Sequence, residues 1–122
     1  MAFRSYEDLR VYQTAIKLSD LVWKVVIAWG SFERIALGTQ LVTAADSIGA
    51  NIAEGAGRGT NKENQRFIRI ARGSLYELKC RLQRANVRGL IAESAVNEVL
   101  TLMEELGPSL NAYLRSFSDK ST

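Results

Sequence analysis

Two glutamates, Glu54 and Glu77, are the side chains in this sequence on which a ligand site or an active site could be built. A carboxylate pair acts as general acid and base only beside a nucleophile, an oxyanion donor or a metal. The chain has no histidine and one cysteine, Cys80, so catalytic triads, histidine-containing zinc sites and Glu-x-x-His di-iron sites are excluded within it. We therefore predict no enzymatic activity, no catalytic residues, no metal site and no cofactor.

A structural role explains the two glutamates better. Glu54 precedes Arg58 by one helical turn, which is the spacing of a helical ion pair. Serine and asparagine side chains share this helix face beside apolar residues, and a polar strip next to a core must be hydrogen-bonded. Gly73 is interpreted as a position of close helix contact. The predicted network, which fixes the packing of two helices, is formed by Ser47, Asn51, Glu54, Ser74 and Glu77.

Arginines offer a second kind of chemistry, the recognition of anions. Residues 58–88 contain nine basic and two acidic residues, a net charge of +7, whereas residues 1–57 and 89–122 have net charges of −1 and −3. The planar guanidinium group suits phosphate and also stacks on bases. A helical wheel places most of these cations on one strip opposite the apolar residues, which predicts contact with an RNA or DNA backbone. The predicted nucleic-acid-binding residues are Arg58, Lys62, Arg66, Arg69, Arg72, Arg84 and Arg88.

The basic strip has a second interpretation. A run of charge is also typical of a solvated helix face, and the acidic surplus of residues 89–122 could pair with it inside the fold or between subunits. The alternative function is therefore a protein-interaction scaffold whose basic face pairs with an acidic partner or a neighbouring subunit. Retention of RNA or DNA that weakens with salt would separate the two functions.

Helix start and stop signals divide the chain into four helices that position these residues. Ser31 after Gly30 and the capping box Thr60–Glu63 mark helix starts, while Gly89 marks a helix end. The last helix is expected to continue, with a kink, through Gly107-Pro108. Short connections favour an all-α, up-down-up-down antiparallel four-helix bundle that forms one domain. The predicted helices cover about residues 6–29, 32–56, 61–88 and 92–117 of a domain spanning residues 1–122.

Apolar residues spaced three and four apart predict the buried face of each of the last three helices. In the second helix this seam is Leu37, Leu41, Ala44, Ile48 and Ile52. In the third it is Ile68, Ala71, Leu75, Leu78, Leu82 and Ala85. In the fourth it is Ala92, Val96, Val99, Met103, Leu106, Leu110, Tyr113 and Phe117.

The first helix carries two apolar rows instead of one, which together cover roughly 200° of its surface. One row is Leu9, Tyr12, Ile16, Trp23 and Ile27, and the other also includes Ala15. Only one row can face the protomer's own bundle, so the other predicts a partner surface and a homo-oligomer. A deeply buried helix in a monomer is the alternative. The predicted oligomer interface consists of Val11, Leu18, Val22, Val25 and Trp29.

Membrane and secretion signals are not found in the sequence. No apolar stretch reaches the length that a bilayer requires, and the first eight residues lack the hydrophobic centre of a signal peptide. We expect a cytoplasmic protein without membrane contact.

Several short motifs resemble a known family. They are Gln40-Leu41, Ser47-Ile48, Asn51-Ile52-Ala53-Glu54-Gly55, Gly57-Arg58 and Ala71-Arg72-Gly73-Ser74-Leu75-Tyr76-Glu77-Leu78, together with Phe3, Tyr6-Glu7-Asp8-Leu9 and Val11-Tyr12. In these motifs the chain resembles the bacterial four-helix-bundle proteins first noticed inside intervening sequences of 23S ribosomal RNA genes. The resemblance implies a four-helix protomer without enzymatic activity and a homopentameric ring with a positively charged surface. The family is also similar to the accessory protein of diversity-generating retroelements, which implies nucleic acid and a reverse transcriptase as candidate partners.

Overall fold

The structure is a computed structural model that describes residues 6–117. This part of the chain forms four helices and no strands. Helix α1 covers Arg10–Ile27, and α2 consists of three consecutive segments, Ser31–Glu33, a π-helical turn at Arg34–Gly38, and Thr39–Ala56. Helix α3 covers Asn61–Val87 and α4 covers Glu93–Arg115. The four predicted helices are thus found. The first begins at residue 10 and not near residue 6, because residues 6–8 form a turn.

The helix boundaries follow the predicted signals. The Thr60 hydroxyl accepts a hydrogen bond from the Glu63 backbone N–H at 3.2 Å, which is half of the predicted capping box. Gly59 and Gly89 adopt positive φ values of 87° and 73°, a conformation that lets the chain turn sharply between helices at little steric cost. Pro108 lies inside α4, which continues through it as one helix, as expected.

One hydrophobic core joins the four helices. Every residue of the predicted α2 and α3 seams is buried. In α4 the seam is buried at Val99, Met103, Leu106 and Leu110, and its ends are partly exposed. Helix α1 contacts α2 and α4, and α3 contacts the same two helices. The spacing of apolar residues therefore predicted the buried face of these three helices correctly.

The inward face of α1 was assigned to the wrong row. Val11, Leu18 and Val22 belong to the predicted oligomer interface, yet they are 6%, 0% and 1% exposed in the core of the protomer. Val25 and Trp29 are half-buried against the same core. The other row is exposed at Trp23 and Ile27, whereas Leu9 and Tyr12 are half-buried against the core. The buried row also carries Thr14 and Ser19, small polar side chains that find partners on neighbouring helices.

Those two polar contacts anchor α1 from inside the bundle. The Thr14 hydroxyl donates to Glu105 Oε2 on α4 at 3.1 Å, and the Ser19 hydroxyl donates to the Asp46 carboxylate on α2. Both hydroxyls are buried, and a buried polar group without a partner is costly. These contacts contribute to the rotation of α1 about its axis. The apolar pattern alone did not specify which of the two rows is buried.

Glycines set how closely α2 approaches its neighbours. A Cβ atom at Gly38 would lie 2.6 Å from Val26 Cγ1 on α1, and one at Gly55 would lie 2.9 Å from Phe67 Cβ on α3. Both distances are too short for a side chain, so glycine is required there for close packing. A Cβ atom at Gly73 would meet nothing within 4 Å, so the prediction of close contact at Gly73 is wrong.

Candidate nucleic-acid interface

The outward face of α3 carries the predicted basic strip. The helix has 27 residues, a length of about 40 Å at about 1.5 Å per residue. Its apolar seam is buried in the core, so the residues on the opposite side point to solvent. The predicted cations exposed along this helix and its two ends are Arg58, Lys62, Arg66, Arg69, Arg84 and Arg88. Lys79, which was not among the predicted residues, is exposed as well. The strip is thus placed where the helical wheel predicted it.

Two of these arginines are held in position at the start of α3. Arg58 Nη2 lies 2.9 Å from Glu54 Oε2, and Arg66 Nη2 lies 3.4 Å from Glu63 Oε1. The guanidinium carbons of Arg58 and Arg66 also lie 4.9 Å and 4.6 Å from the centre of the Phe67 ring. These contacts restrict where the two groups point while leaving both side chains about half exposed. The predicted Glu54–Arg58 ion pair is confirmed.

Four other cations of the strip have no side-chain hydrogen bond or ion pair to any residue in the described range 6–117. They are Lys62, Arg69, Arg84 and Arg88. All four are exposed, so an anion could approach them without breaking an existing contact. No ion pair joins α3 to α4 within these residues, so the acidic surplus of α4 does not neutralise the strip inside the protomer.

Arg72 differs from the rest of the strip. It is half-buried, and its Nη1 donates to Asn111 Oδ1 on α4 at 3.0 Å. This contact turns Arg72 towards a groove between α3 and α4, away from the centre of the strip. Tyr76, one turn further along α3, also lines the groove and is 68% exposed. Sequence reasoning missed Tyr76, although an aromatic residue four positions after an arginine on a basic helix was a usable signal.

The predicted polar network forms in part. Asn51 Nδ2 donates to the Ser47 carbonyl and hydroxyl oxygens, at 2.7 Å and 3.0 Å, and the hydroxyls of Ser47 and Ser74 lie 3.0 Å apart across α2 and α3. Glu54 contacts Arg58 instead of joining these residues. Glu77 lies outside the network, because it is exposed and its Oε2 is 3.7 Å from Arg81 Nη2. The prediction for Glu77 is therefore wrong.

Exposed apolar side chains lie near the end of α1 and at the start of α2, and one of them, Phe32, lines a pocket together with Arg88 of the basic strip. Trp23 and Ile27 on α1 are 53% and 50% exposed, and Phe32 and Ile35 on α2 are 76% and 78% exposed. A cavity of about 320 Å³ opens between Trp23, Ile27 and the π-helical turn. We call Trp23, Ile27, Phe32 and Ile35 the apolar surface; unlike the predicted interface residues, these four side chains are exposed.

Within residues 6–117, no group of three or more cysteine, aspartate or glutamate side chains is placed to hold a metal ion. None of the four helices has both the length and the apolar character needed to cross a membrane. Cys80 is exposed on α3.

Four helices around one core, with a cationic outward face and no strands in the described residues, define a small helical protein with a candidate anion-binding surface. The chain matches the model of the 23S rRNA-intervening sequence protein family over residues 7–112, and it belongs to that family. The match covers α1, α2, α3 and most of α4, which confirms the family resemblance found in the sequence motifs. A search of curated proteins found no match to the chain.

Proposed function

We propose that this protein is a non-enzymatic, cytoplasmic, homo-oligomeric helical bundle that binds the backbone of RNA or DNA through the outward face of α3. The observation that carries the proposal is a set of four exposed cations along α3 that have no ion pair among residues 6–117, namely Lys62, Arg69, Arg84 and Arg88. From Lys62 to Arg88 these cations extend over roughly 40 Å of helix. One turn of B-DNA is about 34–36 Å long, so the cations cover slightly more than one turn. Short connections between the helices support the up-down-up-down antiparallel order proposed for the bundle.

Salt dependence of binding tests the nucleic-acid proposal. The wild-type protein should bind a mixed-sequence duplex with an affinity that falls as salt rises, by about 0.9 in log K per phosphate contact for each tenfold increase in salt. The double variant Arg69→Glu/Arg84→Glu should bind more weakly, and its affinity should depend less on salt. Fluorescence anisotropy at two salt concentrations measures both effects.

A matched control separates local contacts from net charge. Lys17→Glu/Lys24→Glu changes the net charge by the same amount on exposed residues of α1. This control should keep most of the wild-type affinity. Equal loss in both double variants would contradict a binding face on α3, and so would wild-type binding that is insensitive to salt.

The apolar surface supports the oligomer part of the proposal. Its four large apolar side chains are each at least half exposed, and exposed apolar surface commonly marks protein–protein contact sites. We propose that it packs against a neighbouring subunit in a closed ring, for which the family resemblance implies five copies. Native mass spectrometry should then detect a species of five times the 13.5 kDa chain mass.

Variants of the apolar surface test which residues hold the ring together. Phe32→Gln/Ile35→Gln should shift the protein to smaller species in sedimentation velocity, because two exposed apolar anchors are lost. Ile70→Gln, at another exposed apolar position, should leave the assembly unchanged. A wild-type protein that sediments as a monomer at micromolar concentration would contradict the assembly.

A protein-interaction scaffold is the second candidate function. It is favoured by α4, whose Glu93, Glu98 and Glu104 are exposed and have no ion pair within residues 6–117. The acidic α4 of one subunit could contact the basic α3 of the next. In that case Arg69→Glu/Arg84→Glu would break up the assembly, and nucleic acid would not bind the intact ring.

A further inference from the structure

The groove between α3 and α4 is lined by residues suited to binding a flat ring. Leu75 and Met103, which are 8% and 6% exposed, form an apolar floor, and Gly107 adds backbone without a side chain. The groove has a volume of about 210 Å³. Sites for drug-sized ligands have about 300–1,000 Å³, so this groove fits a smaller group, the size of one base.

Tyr76 supplies a stacking surface at the edge of the groove. Tyr76 is 68% exposed. Most of a tyrosine ring is apolar, so this exposure leaves apolar ring surface in contact with water. No aromatic or cationic contact to the Tyr76 ring is found among the described residues. One face of this ring can therefore receive another ring without displacing a neighbour.

Cations flank Tyr76 along α3 on both sides. Arg72 lies four residues before it and Lys79 three residues after it, which is about 6 Å and about 4.5 Å along the helix axis. Both side chains line the groove, and Arg72 is held there by Asn111. A phosphate on either side of a bound base would thus meet a positive charge.

The α4 side of the groove carries hydrogen-bonding groups that can distinguish bases. Glu104 is exposed, lines the groove and has no ion pair within the described chain. Its carboxylate can only accept hydrogen bonds, so it favours a base with an exocyclic amino group. Adenine, cytosine and guanine carry such a group, which has two N–H donors, whereas uracil and thymine offer the carboxylate a single ring N–H.

We propose that the α3–α4 groove binds one unstacked base of single-stranded nucleic acid, which stacks on Tyr76 while Arg72 and Lys79 contact the flanking phosphates. The base is adenine, cytosine or guanine in preference to uracil or thymine. This inference rests on the proposed nucleic-acid function and adds to it, since backbone contacts to the outer face of α3 alone would not distinguish strands or bases.

The test compares labelled 12-nucleotide single strands with a duplex of the same length by fluorescence anisotropy. Tyr76→Ala should weaken binding of an adenine-only strand by about 5- to 150-fold, the range that corresponds to loss of one stacked base. Its affinity for the duplex should stay unchanged. Tyr76→Phe should keep the wild-type affinity, because the ring is retained. Val87→Ala, at another exposed position of α3, should affect neither ligand.

Base preference is tested with Glu104→Gln. The wild-type protein should bind the adenine strand more tightly than a thymine strand, and Glu104→Gln should reduce this ratio. Removing the negative charge should at the same time strengthen binding of both strands. Ribo-adenine and ribo-uracil strands form a second arm of the test, which determines whether the 2′-hydroxyl contributes.

The outcomes separate this inference from the proposed function. Loss of adenine-strand affinity in Tyr76→Ala, with duplex binding intact, supports the groove as a base site. If binding is salt-sensitive but Tyr76→Ala leaves it unchanged for both ligands, the proposed base site in the groove is wrong. The proposed contacts between α3 and the nucleic-acid backbone are then retained. A wild-type protein that binds neither strand nor duplex overturns both proposals. Thermal unfolding of each variant confirms that the bundle is intact.

Discussion

Helix α3 packs against α2 and α4 in two different ways. Against α2 the contact is the most extensive in the bundle; Gly55 lies close to Phe67, and the Ser47 and Ser74 hydroxyls lie within hydrogen-bonding distance across it. Against α4 the contact is the least extensive between neighbouring helices of the described chain, and a groove opens between Tyr76 and Glu104. One helix thus has a tightly packed side and an open side.

The difference between these two contacts distinguishes residues that stabilise the fold from exposed residues that are available to bind a ligand. The motif Asn51–Gly55, which pointed to the family, lies at the tight α2–α3 contact. Its conformation is explained by packing and hydrogen bonds, without a ligand. The side chains of the α3–α4 groove, by contrast, include polar and aromatic groups that packing leaves exposed. Substitutions at the tight contact should therefore change stability, and those in the groove should change binding.

The largest effect is expected at Gly55. A Cβ atom there would lie 2.6 Å from Asn64 Oδ1 and 2.9 Å from Phe67 Cβ, so Gly55→Ala forces the helices apart. We expect a loss of about 1–3 kcal/mol in the free energy of unfolding, measured by urea denaturation. An unchanged unfolding midpoint would show that the α2–α3 contact is looser than the structure indicates.

Ser47 and Ser74 should show a smaller effect at the same contact. Removing either hydroxyl breaks their interhelical hydrogen bond, worth about 0.5–1.5 kcal/mol. A double-mutant cycle of Ser47→Ala and Ser74→Ala should give a coupling energy in this range. Ser109→Ala is the matched control, because the Ser109 hydroxyl bonds only to the Glu105 carbonyl of its own helix.

Gly73 should respond in the opposite direction to Gly55. It is exposed, and a Cβ atom there would meet nothing within 4 Å. Gly73→Ala should raise the free energy of unfolding by about 0.5–1 kcal/mol, since alanine has the higher helix propensity. A decrease in stability would mean that a neighbouring subunit packs closely on this part of α3, which sedimentation of the variant would then reveal.

Glu77 should show the smallest effect. Among residues 6–117 it pairs only with Arg81, at 3.7 Å, and both side chains are substantially exposed. Glu77→Ala should change the free energy of unfolding by no more than about 0.5 kcal/mol. A decrease of more than about 1 kcal/mol in the free energy of unfolding, measured by chemical denaturation, would indicate that Glu77 belongs to the buried network that the sequence predicted.

Much of the fold was predictable because its signals are local. The capping residue Thr60 and the turn residues Gly59 and Gly89 act on their own neighbours along the chain. The seams of α2, α3 and α4 each leave one apolar face, so a helical wheel identified the buried side. The same geometry placed the cations on the outward face of α3.

The orientation of α1 was not predictable in this way. Both of its apolar rows satisfied the pattern, and the buried side includes Thr14 and Ser19, whose partners Glu105 and Asp46 are distant in sequence. The same limit applies to Glu77, since its spacing suited the network but its side chain pairs with Arg81. Pairing of polar groups across helices is a tertiary property.

The sequence by itself determined the four helices, the concentration of positive charge on the third and the family to which the chain belongs, since each depends on residue order over a few turns. Only the tertiary structure decided which row of α1 faces solvent, which cations lack partners, and that Tyr76 and Glu104 share a groove. The physical reason is that exposure and pairing depend on how neighbouring helices rotate and approach each other, and side-chain spacing along one helix does not specify that.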